Sequence, residues 1–390
     1  MRRVYLDNAA TTPLSACAAE AMAPYMQPGL AAPFGNANSL HSTGREAFAA
    51  LEDARVRVAR AIGASRPDEV VFASGATEAD NAAVVGMALA QRDRLRARGR
   101  RVEGRVVFSR IEHEAVLHCE GALKRLGFAV DFVDNDASGR ISAEALDAAM
   151  RDDTLLVSIM AVNNEVGCVL DTERLARVAH DRGALFHVDA VQALGKIPFH
   201  VGRLGVDAAS FSAHKVGGPK GVGVLFLKTR TPFTPLIEGG GQERGLRSGT
   251  QNVAGIVGCA AAMEHAVAGQ EAFAARTAAW RDELYATLCA MPRVHRSAPE
   301  APGARFAPHI VNVCVSGVES QTMVLQLDMR GICVSGGSAC SSSSLDPSHV
   351  LAALGVSRNL ARGTLRVSFG EYTTRADVDA FLAEFGRAIA

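Results

Sequence analysis

From Val70 to about Leu227, short apolar runs rich in β-branched residues alternate with longer stretches of helical character. The runs are Val70-Val71-Phe72, Val106-Val107-Phe108, Leu155 to Ile159, Leu185 to Val188, and Val222 to Phe226. Strands alternating with helices predict an α/β architecture, a mostly parallel sheet covered by helices on both faces. Ligands of such sheets bind beyond the C-terminal ends of the strands, so the residues just after each run carry the most weight. Beyond about Gly258 the pattern changes to a long Ala-rich helix, the run Ile310 to Val315, a helix near Thr322 to Met329 and a closing helix from Ala376. This second pattern predicts a smaller α+β domain.

A chain of 390 residues exceeds the size at which one core stops growing, which agrees with two domains. Hydrophobic residues make up 48% and charged residues 21%, with 41 Lys and Arg against 41 Asp and Glu, so nothing calls for a polyanionic partner. The start reaches Asp7 before an apolar leader can form, and no apolar run is long enough to span a bilayer, so a cytoplasmic protein without membrane contact is expected. The basic stretch from Arg92 to Arg105 lacks interleaved aromatics and reads as a solvated helix end, not as a nucleic-acid surface.

Eight cysteines are scattered without a Cys-x-x-Cys pair, which fits neither a disulfide scaffold nor a structural metal site. Most are expected to be reduced and buried. Cys340 differs, because Ser335-Gly336-Gly337-Ser338-Ala339-Cys340 and the serines after it offer no side chain able to bury a thiol. Such a composition predicts a loop that can carry a sulfur between two sites, which suits a nucleophile. A lone cysteine is more often incidental, so the case rests on what surrounds it.

Ser74-Gly75-Ala76-Thr77-Glu78 follows the first run and opens a helix, where small residues let an anion approach backbone N–H groups at the positive end of the helix dipole. A plain N-cap accounts for the same residues. Ser212-Ala213-His214-Lys215 precedes Val216 to Gly221 and places a lysine on a tight turn between strands. A desolvated lysine there can form a Schiff base with an aldehyde, whereas a surface lysine in a hairpin would do nothing. Neither the Walker nor the Gly-x-Gly-x-x-Gly spacing is present. Asp189 and Gln192, at the end of the Leu185 run, can both reach a bound ring, and an aspartate there can keep a pyridine nitrogen protonated. Taken singly, Asp189 reads equally as a helix N-cap. Asn163-Asn164-Glu165 and His113 add polar groups at equivalent strand ends.

Together these motifs resemble the pyridoxal-phosphate-dependent cysteine desulfurases of the NifS/IscS type. The resemblance runs from Tyr5-Leu6-Asp7-Asn8-Ala9-Ala10-Thr11-Thr12-Pro13 through Phe34-Gly35-Asn36 and Ser74 to Glu78 as far as Arg362-Gly363-Thr364-Leu365-Arg366-Val367-Ser368. It implies the fold type I of pyridoxal-phosphate transferases, the aspartate-aminotransferase type, with a large domain built on a mostly parallel seven-stranded sheet. The expected division gives residues 15–258 to that domain. Residues 1–14 and 259–390 would form the small domain, which carries the Cys340 loop.

Position by position, the resemblance gives Lys215 the role of holding pyridoxal 5'-phosphate and moving the substrate's Cα proton. Asp189 would partner the ring nitrogen, Gln192 and Asn164 the phenolic oxygen, and His113 would stack on the ring. Ala76, Thr77, Ser212 and His214 would cradle the phosphate, joined by Thr250 from a neighbouring subunit of a homodimer. Arg366 would fix the substrate carboxylate, with Asn36 nearby, and Cys340 would be the nucleophile. The implied reaction turns L-cysteine into L-alanine, leaves a persulfide on Cys340, and passes the sulfur to an acceptor such as an iron-sulfur scaffold protein. The segment from Ala376 is expected to be a single helix, without the extension by which housekeeping relatives dock that scaffold. A selenocysteine lyase, another β-lyase or aminotransferase of the same fold, and a scaffold without catalysis are the alternatives.

Overall fold

The computed structural model describes residues 3–100, 102–337 and 348–389. Seven strands form the larger sheet: β1 (Val70–Ala73), β2 (Arg105–Ser109), β3 (Ala129–Val133), β4 (Thr154–Ser158), β5 (Leu185–Asp189), β6 (Ala208–Ser212) and β7 (Gly223–Leu227). Their spatial order is β1-β7-β6-β5-β4-β2-β3. β7 runs antiparallel to β1 and β6, and every other neighbouring pair is parallel.

Two of these strands lie outside the apolar runs. β6 reads Ala-Ala-Ser-Phe-Ser and is buried throughout, because small residues let helices pack closely on both faces of the sheet centre. β3 reads Ala-Val-Asp-Phe-Val and is half-buried, as an edge strand with polar positions should be.

Side chains alternate between the two faces along each strand. Val70, Phe72, Val107 and Phe211 join one core with Leu51, Val58 and Ile62 of α1 (Ser42–Ile62). Val71, Val106, Phe108 and Leu225 join the opposite core with Ala83, Val84 and Met87 of α2 (Ala76–Ala97). The sheet is therefore dry on both sides, and its polar residues collect at the strand ends.

A second, antiparallel sheet has the order β8 (Val294–Arg296), β9 (Ile310–Val315), β10 (Thr364–Ser368). Its core combines Val313, Leu365 and Phe369 with Val4 and Leu6 from the start of the chain and Phe381 and Phe385 of the final helix. The long helix expected beyond Gly258 is two helices, α3 (Val253–Ala268) and α4 (Gln270–Leu288), which meet at Gly269. Ile256, Cys259, Ala260 and Met263 of α3 all sit in the larger core, whereas Trp280 and Leu284 of α4 sit in the smaller one. The division expected after residue 258 thus falls inside a continuous helix.

The chain start links the two sheets. Val4–Tyr5 pairs with Ile332–Cys333, Asn8 Nδ2 donates to Ser368 O at 2.9 Å, and Ser15 N donates to Gly217 O at 2.8 Å. Residues 7–12 consequently run between β10 and the turn after β6.

Candidate active site

The C-terminal ends of the parallel strands open on a cavity of about 460 Å³. Asp189 is the last residue of β5, Ser212 ends β6, and His214 and Lys215 follow in a single turn. Ala76 and Thr77 begin α2 just after β1, while His113 follows β2 and caps a short helix by accepting from Ala115 N at 3.1 Å. All of these line the cavity, together with Asn164, Gln192 and Arg366, the last reaching across from β10. Side chains separated by up to 290 positions in sequence are thus gathered at one place by strand order, as the rule for open α/β sheets requires.

Two of the cations that line the cavity, Lys215 and Arg366, are held by the chain start. Lys215 Nζ donates to Ala9 O at 2.6 Å and Ala10 O at 2.8 Å. Arg366 Nη2 donates to Asp7 Oδ1 at 2.8 Å and Nη1 to Asn164 O at 2.8 Å, while its buried Nε has no hydrogen-bond partner among the described residues. That leaves a guanidinium donor, 1% exposed overall, for an incoming acceptor at the cavity wall. His214 Nδ1 lies 3.0 Å from Thr11 Oγ1, and Gln192 Nε2 donates to Ala9 O at 2.9 Å.

At the other end of the cavity α2 presents its N-terminus, and no side chain caps it. Its first N–H groups therefore remain for an anion. A Cβ at Gly75 would project into open space there, whereas a Cβ at Gly223 would lie 2.4 Å from the Gly75 carbonyl carbon. Only glycine at 223 lets β7 support this loop so closely. Ser212 and His214 flank the same region.

Burial sets the electrostatics. His214 is pushed down to about 4 by burial, with Lys215 and Lys220 adding to the effect, so it is a neutral imidazole at neutral pH. Burial also lowers His113, although Asp189 opposes the shift. Burial raises Asp189, opposed by His113, a backbone bond from Val191 N at 2.9 Å, and Lys215. A cation placed beside Asp189 would favour its ionised form. The cavity thus brings together an uncapped helix N-terminus, the buried Asp189 carboxyl and the Lys215 amine.

Asn36 and Thr250 do not line the cavity. Both are exposed, and their segments meet at the surface, where Asn38 Nδ2 donates to Gln251 Oε1 at 3.2 Å and Asn36 Oδ1 accepts from Asn38 N at 2.9 Å. The loop before Thr250 is anchored by a buried pair, Arg55 Nη1 to Glu243 Oε2 at 2.6 Å and Nη2 to Oε1 at 2.9 Å. Cys340 lies outside the described residues. The seven described cysteines are free, and Cys119, Cys168, Cys259 and Cys314 are buried.

Asp7, the carbonyls of Ala9 and Ala10, Thr11, Asp80 and Lys196 had no assigned role in the sequence. An acid followed by small residues and threonines, Asp7 to Thr12, was the one visible sign of a segment built to touch a site. Lys196 carries no such sign. It is 6% exposed, donates to Lys215 O at 2.8 Å, and is held down to about 7 by burial and the nearby Lys215.

The family described as Aminotransferase class-V matches residues 4–381. The chain is 42% identical over 388 residues to the cysteine desulfurase IscS of Dictyoglomus turgidum, a match covering 100% of this chain and 95% of that protein. It is 43% identical over 383 residues to a cysteine desulfurase of Cereibacter sphaeroides, covering 98% and 94%. Among solved structures, a NifS-like protein superposes with a TM-score of 0.88 at 39% identity over 99% of each chain.

Proposed function

The chain belongs to the class-V aminotransferases, as one of their cysteine desulfurases, and on that premise we propose that it converts L-cysteine to L-alanine with pyridoxal 5'-phosphate held at Lys215 and Cys340 as the sulfur-accepting thiol. Lys215 would hold the cofactor's aldehyde, the N-terminus of α2 with Ser212 and His214 would hold its phosphate, and Asp189 would pair with its ring nitrogen. Gln192 and Asn164 would serve its phenolic oxygen. When bound, the cofactor draws electron density from the substrate's Cα and so loosens both the Cα proton and the bond to sulfur.

The protein's own groups do the rest. Arg366 receives the substrate carboxylate through its unpartnered Nε while Asp7 and Asn164 O keep the guanidinium in place. Lys215 Nζ takes the Cα proton and returns it, still able to donate to the Ala9 and Ala10 carbonyls when neutral. His113, kept largely neutral by burial, assists the proton's movement. The Cys340 thiolate bonds to the substrate sulfur; the carbon-sulfur pair stays with Cβ, which gains a proton and becomes the methyl of alanine.

The observation that carries this reading is that Lys215, Asp189, Arg366 and an uncapped helix N-terminus share one cavity. Purified protein given the cofactor and L-cysteine should form alanine and a persulfide on Cys340. Cys340→Ser should keep the visible absorption of the bound cofactor and lose both products, and normal alanine formation in that variant overturns the role of Cys340.

The reading extends to a cytoplasmic homodimer that delivers sulfur to a protein thiol such as that of an iron-sulfur scaffold. The exposed meeting of the Asn36 and Thr250 segments supports a site completed by a second subunit. Among the described residues, no helix is long and apolar enough to cross a membrane.

A further inference from the structure

Two residues before Asp189, and on the same face of β5, His187 is fully buried. Its Nδ1 lies 2.8 Å from Ser158 Oγ and its Nε2 2.9 Å from Ser210 Oγ. From the second turn of α2, Asp80 comes down beside it, with Oδ1 3.6 Å from His187 Nε2. Asp80 is 1% exposed and lines the same cavity as Asp189, yet among the described residues its Oδ1 accepts no hydrogen bond.

The titratable groups around Asp80 offer no positive charge. Asp189 and His187 face it from β5, Glu112 from the segment after β2, and Cys119 from the helix Cys119–Arg125. Burial pushes His187 down to about 3, Glu112 up to about 8 and Cys119 up to about 12, so all three are neutral at pH 7. Burial and the charge of Asp189 push Asp80 well above the usual carboxylate range, against the pull of the Ser210 hydroxyl. Both carboxyl groups line one cavity and burial disfavours the charge of each, so ionising one makes ionising the other harder. Asp189 has the Val191 amide at 2.9 Å, His113 and Lys215 to favour its charge, and Asp80 has no comparable support.

We propose that Asp80 is a positioning residue for the cofactor site, a neutral carboxylic acid beside His187 in the cavity it shares with Asp189, which leaves the two carboxyl groups one negative charge, directed at the ring nitrogen. The inference rests on the reading that Asp189 meets that nitrogen. Its physical content is that a second anion in this cavity would drive Asp189 itself to hold a proton. A protonated Asp189 cannot keep the ring nitrogen charged.

The test reads protonation in the full-length protein without cofactor, by infrared spectroscopy at neutral pH. Asp80→Asn should remove one carboxylic-acid carbonyl band and no carboxylate band, while Glu112→Gln removes a different acid band. Loss of a carboxylate band in Asp80→Asn overturns the proposal. Should that variant fail to fold, the wild-type spectrum decides: an acid band beyond that of Glu112 must persist at neutral pH, and its absence overturns the proposal equally. Thermal unfolding gives a second readout. A folded-state proton affinity above the unfolded value of about 3.9 means that wild type loses stability relative to Asp80→Asn as pH rises from there. Asp189→Asn separates the two ideas. If it binds cofactor with an unchanged visible spectrum and pH profile, the ring-nitrogen reading fails while the protonation of Asp80 stands on the infrared result.

Discussion

Lys215 and Arg366 line one cavity and are held in different ways. Lys215 sits on a single turn after β6, with its amine on the backbone carbonyls of Ala9 and Ala10. Arg366 sits inside β10, 1% exposed, with its guanidinium on the Asp7 carboxylate and the Asn164 carbonyl. A carbonyl accepts from an ammonium or a neutral amine alike, so its partner can change protonation and move. A carboxylate in a dry site locks its partner as a cation, because separating the two leaves an uncompensated charge. The same short segment, residues 7–12, supplies both kinds of contact. In the roles proposed for them, the group that reacts is held by dipoles and the group that binds is held by charge.

Replacing the reacting cation should have the largest effect. Lys215→Ala should lower alanine formation from L-cysteine about 10³-fold or more, measured with cofactor in excess, and an activity near wild type would end the proposed role. Arg366→Lys keeps the charge but not the fork, so KM for L-cysteine should rise about 30-fold with kcat changed much less. A change confined to kcat would remove Arg366 from carboxylate binding. Asp7→Asn keeps an acceptor for Nη2 but removes the charge, and thermal or urea unfolding should show a loss of about 2 kcal/mol, below the ~3–5 kcal/mol of a fully severed buried pair. No loss would mean that Arg366 is not locked by charge.

The smallest effect concerns Lys196, whose amine donates to Lys215 O. Its folded value of about 7 lies below the unfolded value near 10.4, so between these the unfolded chain binds more protons and stability rises with pH. Relative to Lys196→Gln, wild type should gain at most about 1.4 kcal/mol per pH unit from pH 7 upward, and should show no further drift below it. Parallel stability curves for the two proteins would show that Lys196 titrates as in the unfolded chain.

Much of the larger sheet was legible because its strands are buried on both faces and so read as continuous apolar runs. β6 was not, since Ala-Ala-Ser-Phe-Ser has neither β-branching nor alternation; its burial comes from helices packed on both sides. The break at Gly269 was equally hidden, because an Ala-rich stretch continues smoothly across it. At the site, Lys215, Asp189, His113 and the opening of α2 could be found because each follows a strand, where an α/β sheet places its ligands. Asp80 and Lys196 could not, since an acid four residues into a helix and a lysine after a glycine ordinarily face water.

Local pattern, acting within one element, thus determined the strands that read as apolar runs, where α2 begins, and which chemical groups stand at the ends of those strands. The tertiary structure decided which of those groups meet, what holds them, and which ionise. It threads residues 7–12 between the two sheets, brings Arg366 to the cavity from β10, and places Asp80 beside His187 in the cavity that Asp189 lines. Charge in a dry site depends on every neighbour within a few ångströms, and those neighbours come from distant parts of the chain.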